Sequence, residues 1–184
     1  MENWIPWVIA VVGVLYLTYL YNGLVTLRNR VRNAWSQIDV QLKRRHDLIP
    51  NIIASVKGYM AHERGLFDTI VRAREKAVAA GSNVPARAAA EAVLDRSLHS
   101  IFALAESTPE LKASANMLAL QEELSSTENR IAFARQHYND AALTYNTALA
   151  TVPSVFIARA FAFQPDPLYE VSDAAEREPV SVSF

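Results

Sequence analysis

From Asn3 to Leu27 the chain has no charged side chain, and no other feature constrains it as strongly. A bilayer's hydrocarbon layer, roughly 30 Å thick, is crossed by about 17 to 25 apolar residues rising about 1.5 Å each. Trp4 to Leu24 therefore reads as a transmembrane helix. Trp4 and Trp7 at one end and Tyr16, Tyr19 and Tyr21 toward the other suit the preference of amphipathic rings for the membrane interface. A cleaved leader would need a basic start and small residues before its cleavage site. This chain begins Met-Glu-Asn, and the apolar segment ends Leu20-Tyr-Asn-Gly-Leu-Val25.

The flanks of the span are unequal. Arg28, Arg30 and Arg32 follow it at once, while Glu2 and the terminal amine precede it. Basic flanks stay cytoplasmic, so the expected topology is single-pass, with the N-terminus outside and the rest of the chain in the cytoplasm. Arg28, Arg30 and Arg32 then lie within a Debye length, about 10 Å, of the headgroups and form a lipid-surface cluster. Lys43, Arg44 and Arg45 come roughly 20 Å further along a helix and cannot share that role.

Beyond Leu27 the chain is long enough for one domain with a real core. Only five glycines occur in 184 residues, and the middle is rich in Ala, Leu, Glu, Gln, Arg and Lys, which lose least on entering a helix. The absence of cysteine excludes disulfides, thiolate nucleophiles and thiolate metal sites. With Glu2 set aside, 18 acidic residues face 18 basic ones beyond Leu27. That balance lacks the basic excess of a nucleic-acid binder. The charge is nonetheless uneven, since residues 28–45 are mostly basic and residues 164–184 mostly acidic.

Leu24, Leu27, Val31, Ala34, Ile38, Leu42, Arg45, Ile49, Ile52, Val56 and Tyr59 recur at steps of three and four. This is a heptad seam interrupted only by Arg45. Its phase continues through Pro50, which predicts a kink rather than a stop and a helix reaching about Ala79. Gly81-Ser82-Asn83 with Pro85 signals a turn and a new helix, and Ser107-Thr108-Pro109 signals another. After Pro109 a second seam runs through Met117, Leu120, Leu124, Thr127, Ile131, Ala134, Tyr138, Ala141, Tyr145, Ala148 and Val152, predicting a long helix that ends near Pro153. The expected fold is all-α: a transmembrane helix continuing into an antiparallel bundle of three to four long helices, then a short extended tail. The expected domains are the anchor at 1–27, a cytoplasmic bundle at 28–163 and an acidic tail at 164–184. The apolar segment from Ser154 to Phe163 would arrive near the bilayer surface, and packing on the end of the bundle is the expected alternative to contact with lipid.

No catalytic, cofactor or metal site is expected. His46, His62, His99 and His137 lack partners at ligand spacing, and each is expected on a helix surface. His62-Glu63 opens like a zinc protease motif, but Leu66 stands where the second His belongs. No Glu stands three residues before a His, as a di-iron site requires. Arg45 and Thr127 occupy core positions. A buried charge left unpaired costs several kcal/mol, so Arg45 should meet a carboxylate such as Glu122, Glu123 or Glu128 in a polar layer that sets helix register. At the C-terminus, Val182 and Phe184 lie two apart beside a free carboxylate, a pattern taken up by strand addition. They are expected to form a partner-binding tail.

The segments Tyr21-Asn-Gly-Leu-Val25, Arg32-Asn-Ala-Trp-Ser-Gln-Ile-Asp-Val-Gln-Leu-Lys-Arg-Arg-His-Asp-Leu-Ile-Pro-Asn51 and Val56-Lys-Gly-Tyr59 resemble the LemA family. So do His62-Glu63, Gln121-Glu-Glu-Leu124, Thr127-Glu-Asn-Arg-Ile-Ala-Phe-Ala-Arg135, Tyr138-Asn-Asp140, Tyr145-Asn146 and Val182-Ser-Phe184. The resemblance covers nearly the whole chain. It departs at Thr108, where the family tends to have an aromatic residue before the proline, and at Met117, where Phe is common. It implies a bacterial inner-membrane protein with a short external N-terminus, a helical cytoplasmic domain and no catalytic residues. Its implied partners are a membrane protease or another envelope protein. The residues themselves suit a membrane-tethered scaffold that forms a homo-oligomer or holds a partner. The alternatives are a lipid-surface module using Arg28–Arg32 and Phe156–Phe163, and an enzyme with a site near Arg45, His46, Glu122 and Glu128.

Overall fold

A computed structural model describes residues 4–59 and 64–170, and the expectation at Val182 and Phe184 falls outside them. Six helices occur among the described residues: α1 Ile5–Lys57, α2 Arg64–Ala79, α3 Val84–Glu106, α4 Pro109–Lys112, α5 Ala115–Ala150 and α6 Ser154–Ala160. No strand occurs among them. The all-α class with a long apolar N-terminal helix is what the sequence predicts.

The apolar stretch and the first seam belong to one helix. In α1 the large apolar residues from Ile5 to Tyr19 are exposed, over a stretch whose mean hydropathy reaches 1.9. A helix apolar all round and unburied by its own chain is stable in lipid, not in water. This is the one helix among the described residues long and apolar enough to cross a membrane unaided. Beyond it Val31, Ala34, Ile38, Leu42, Ile49, Ile52 and Val56 are buried, as the three-four rhythm requires.

Helix ends differ from expectation. α1 continues through Pro50 but stops at Lys57 instead of reaching Ala79, and α2 begins only at Arg64. Two causes meet at the stop. Gly58 weakens a helix by about 1 kcal/mol relative to Ala, and Tyr59, the next seam position, is exposed and gives no burial in return. The helix expected from Pro109 also breaks: α4 closes after one turn, with the Ala113 N–H bonded back to Leu111 and Pro109 carbonyls, and α5 starts at Ala115. Buried Leu111 anchors that turn. Between α2 and α3, Gly81 adopts φ +54°, a left-handed conformation open to glycine. Asn83 then caps α3, its side chain accepting from the Ala86 N–H at 3.1 Å.

The chain forms two compact units, to each of which α1 and α5 contribute. Among the described residues, the first joins 4–39 to Phe133–Leu168. Leu24, Ile157 and Ala158 form its core near the span, with Leu20, Ala148, Leu149 and Phe163 packed around them. A strap after α6 lies along α5. Asn146 holds the Asp166 backbone at both ends, donating to its carbonyl at 2.8 Å and accepting from its N–H at 2.9 Å. The Tyr138 hydroxyl donates to the Pro167 carbonyl at 2.8 Å, and the Tyr138 ring meets Trp35 edge-on, centroids 5.5 Å apart.

Among the described residues, the second unit joins those between Val40 and Ala132 to Tyr169 and Glu170. Its core is built by Ile49, Ile52 and Val56 of α1, Phe67 and Ile70 of α2, Leu94, Leu98 and Ile101 of α3, Leu111 of α4 and Leu124 of α5.

Candidate functional site

The second unit encloses an ionic cluster. α1 supplies Arg45 and His46, α3 supplies Arg87, Glu91 and Asp95, and α5 supplies Glu128. Arg45 and Glu91 are each 3% exposed, so neither side chain can be solvated by rotating outward. Arg45 Nη1 donates to both Glu128 oxygens, at 2.8 and 2.9 Å, and Nη2 donates to Glu91 Oε2. Asp95 Oδ1 stands 3.7 Å from Nη1. The other Glu91 oxygen has His46 Nε2 at 3.0 Å and Arg87 Nε at 3.8 Å. Neither approach has hydrogen-bond alignment. Arg87 Nη1 donates to the Gly81 carbonyl, and Arg74 Nε donates to the His46 carbonyl, which ties α2 to α1.

The two glutamates that hold Arg45 respond in opposite directions. Burial raises the Glu91 carboxyl pKa, but the contacts with His46 and Arg45 outweigh burial and hold it below the ordinary carboxylate value. Glu128 stays above that value, because burial, with the nearby Asp95 and Glu91 charges, exceeds the attraction of Arg45. For Arg45 burial acts downward, and Glu128 and Glu91 more than reverse it. The cluster therefore centres on an ionised arginine with an ionised Glu91 beside it.

Of the residues expected in this layer, Arg45 and Glu128 are brought together. Glu122 is exposed, and Glu123 pairs instead with Arg44, whose Nε donates to it at 3.0 Å. Thr127 is buried and satisfies its hydroxyl within its own helix, on the Glu123 carbonyl at 2.8 Å. His99 and His137 lie on helix surfaces as expected, and His62 is outside the described residues. His46 does not conform: it is 4% exposed, because the seam that buries Arg45 carries its neighbour into the same interface.

Glu91 was absent from the sequence reading, although a signal existed. Val84, Ala88, Glu91, Leu94, Leu98, Ile101 and Ala105 are all buried on α3, so Glu91 occupies a seam position as Arg45 does on α1. Two charges of opposite sign at seam positions of separate helices predict each other as partners.

Arg28, Arg30 and Arg32 are exposed. Arg28 and Arg32 draw the Asp166 carboxyl pKa downward against a larger upward push from burial, so both face the strap as well as solvent. Arg30 lines two surface grooves, one with Tyr19, Leu20, Asn22 and Ser154 and one with Asn33, Gln37, His137 and Asp140.

Chemically, the Arg45 cluster is buried at Arg45, His46 and Glu91 and partly open at Asp95 and Glu128. Its charged groups are aimed at one another, and among the described residues no group of three or more His, Cys, Asp or Glu side chains could hold a metal ion. A model of the LemA family matches residues 34–184. The chain belongs to the LemA family. The match takes in Arg45, Glu91 and Glu128 and begins beyond the apolar part of α1. Among similar curated proteins, Magnetosome protein MamQ of Magnetospirillum gryphiswaldense is 24% identical over 169 residues, covering 78% of this chain and 62% of its own length. Protein LemA of Metamycoplasma hominis is 28% identical over 149 residues, covering 78% of this chain and 66% of its own. Magnetosome protein MamQ 2 of Paramagnetospirillum magneticum is 25% identical over 176 residues, with 82% and 64% covered. The chain thus spans less than two thirds of the length of each of these LemA and MamQ relatives.

Proposed function

We propose that this LemA family protein is a membrane-tethered helical scaffold of the bacterial cytoplasmic membrane, its N-terminus outside and its helical part in the cytoplasm, which self-assembles or holds an envelope partner such as a membrane protease. The observation that carries this reading is that one uninterrupted helix, α1, runs from an exposed apolar span into a core whose buried ions are closed on one another. The ions of that core pair chiefly with one another, Arg45 with Glu91 and Glu128. None of the relatives' names denotes a reaction, and three of the four are named magnetosome proteins.

The test is native mass measurement with crosslinking on full-length protein extracted from its own membrane. The expected result is a species heavier than the 20.4 kDa chain, either a homo-oligomer or a complex with a membrane protein. A chain that stays monomeric, with no crosslinked neighbour, would overturn the scaffold.

A further inference from the structure

Helix α6 sits where water is scarce. Its buried residues Ile157 and Ala158 pack on Leu24 and Leu20 of α1, and the Phe161 and Phe163 rings stand 4.9 and 5.8 Å from the Tyr21 ring. Counted from Trp4, Leu24 lies about 30 Å along the helix, at the edge of the hydrocarbon layer the span crosses. A segment packed against residues 20–24 of an embedded helix is therefore at the level of the headgroups and the first acyl carbons.

At that level the outward-facing residues are apolar. α6 turns 91° from α5. On this corner Val152 is 74% exposed, Phe156 65% and Phe161 60%, although Phe161 already has Tyr21 on one side. In water three such side chains together form an exposed apolar patch, which soluble surfaces seldom retain. The neighbouring charge is basic: Arg159 on α6 is exposed, and Arg30, about 9 Å beyond Leu24 along α1, borders a groove of about 450 Å³ that also includes Tyr19, Leu20, Leu24 and Ser154. An apolar face set beside arginines at the interface matches an anionic leaflet.

We propose that the α5–α6 corner is a second membrane contact. Val152, Phe156 and Phe161 insert into the interfacial layer beside the span, while Arg30 and Arg159 meet phosphate groups. This rests on the reading of the start of α1 as a membrane span and adds to the scaffold a fixed depth at the leaflet. A protein partner on the same face is the competing occupant, disfavoured because Phe161 on that face packs on Tyr21, an exposed residue at the end of the span.

The chain has no native cysteine, so single nitroxide labels report without background. Full-length protein carrying Phe156→Cys or Val152→Cys is reconstituted into vesicles of phosphatidylcholine and phosphatidylglycerol. Collision with oxygen, which favours lipid, is compared with collision with a polar nickel complex. Val12→Cys, on the span, and Phe133→Cys, exposed on α5, set the two limits. The oxygen-to-nickel ratio at Phe156 and Val152 should exceed that at Phe133 several-fold and approach that at Val12. A ratio equal to that at Phe133, with Val12 in lipid, overturns the second contact and leaves the span intact. Low access to both reagents marks a protein cover and overturns it too. If Val12 itself reports water, the span fails and the proposal falls with it.

Discussion

Arg45 stands where the seam of α1 calls for an aliphatic side chain. The desolvation of a guanidinium and two carboxylates is large enough that such a cluster is weak evidence of net stability, whereas deletion of one member leaves uncompensated charge at a cost of about 3–5 kcal/mol. Arg45→Ala should therefore lower the unfolding free energy of the helical part by about 3 kcal/mol, read by chemical denaturation of protein in detergent. An unchanged midpoint would show that the guanidinium is solvated. Half of this cluster was legible in the sequence. Arg45 announced itself as the one charge in an apolar seam, and Glu128 was among its named partners. Glu91 was overlooked because alanines surround it on every face of the first half of α3, at 86, 88, 89, 90 and 92, and their weak apolar contrast hides the face on which Glu91 lies. His46 was misplaced for a related reason, since a seam names one position per turn while the surface buried here takes in its neighbour as well.

At the scale of elements, helix interiors were readable and helix ends were not. A three-four rhythm is a property of many residues at once, so the burial of Val31, Ile38, Leu42, Ile52, Ile131 and Tyr138 follows from pattern. An end is decided by a few tenths to one kcal/mol at single positions, as at Gly58 and at Ala113. α6, less than two turns long, offers too little sequence for any period to show. The strap after it is held by groups that pattern does not reveal, and one of them titrates. Burial, with Asp166 nearby, pushes the Tyr138 hydroxyl up to about 12. A pKa raised on folding means that the native state keeps its proton longer. This contribution is complete below the unfolded value, about 10, and disappears as pH climbs through 12. Tyr138→Phe removes the bond to Pro167 at a cost of about 1 kcal/mol. Parent protein should thus be more stable than the variant below pH 10, and the gap should narrow between pH 10 and 12. A gap that is constant across that window, in paired denaturation curves, would refute the account.

For the molecule as a whole, orientation in the membrane governs which partners it can meet. No charge interrupts Trp4 to Leu27, and Arg28, Arg30 and Arg32 follow within one and a half turns. Each arginine near the leaflet is held by its negative surface potential at about 1 kcal/mol, and moving three of them across the hydrocarbon layer is far costlier. The nearness of Asp166 to Arg28 and Arg32 does not cancel the bias, because orientation follows the count of Lys and Arg beside the span and acidic residues contribute little. The expectation of an external N-terminus is therefore unchanged by the carboxylate that the strap brings to the basic flank. A reporter that functions only in the cytoplasm, fused after Phe184, should be active, and one that functions only outside the membrane should be silent at the same position. Replacing Arg28, Arg30 and Arg32 together by alanine should shift a measurable fraction of chains to the opposite orientation. An external reporter active in the unaltered chain would reverse the topology, and with it the assignment of the basic flank to the cytoplasmic leaflet.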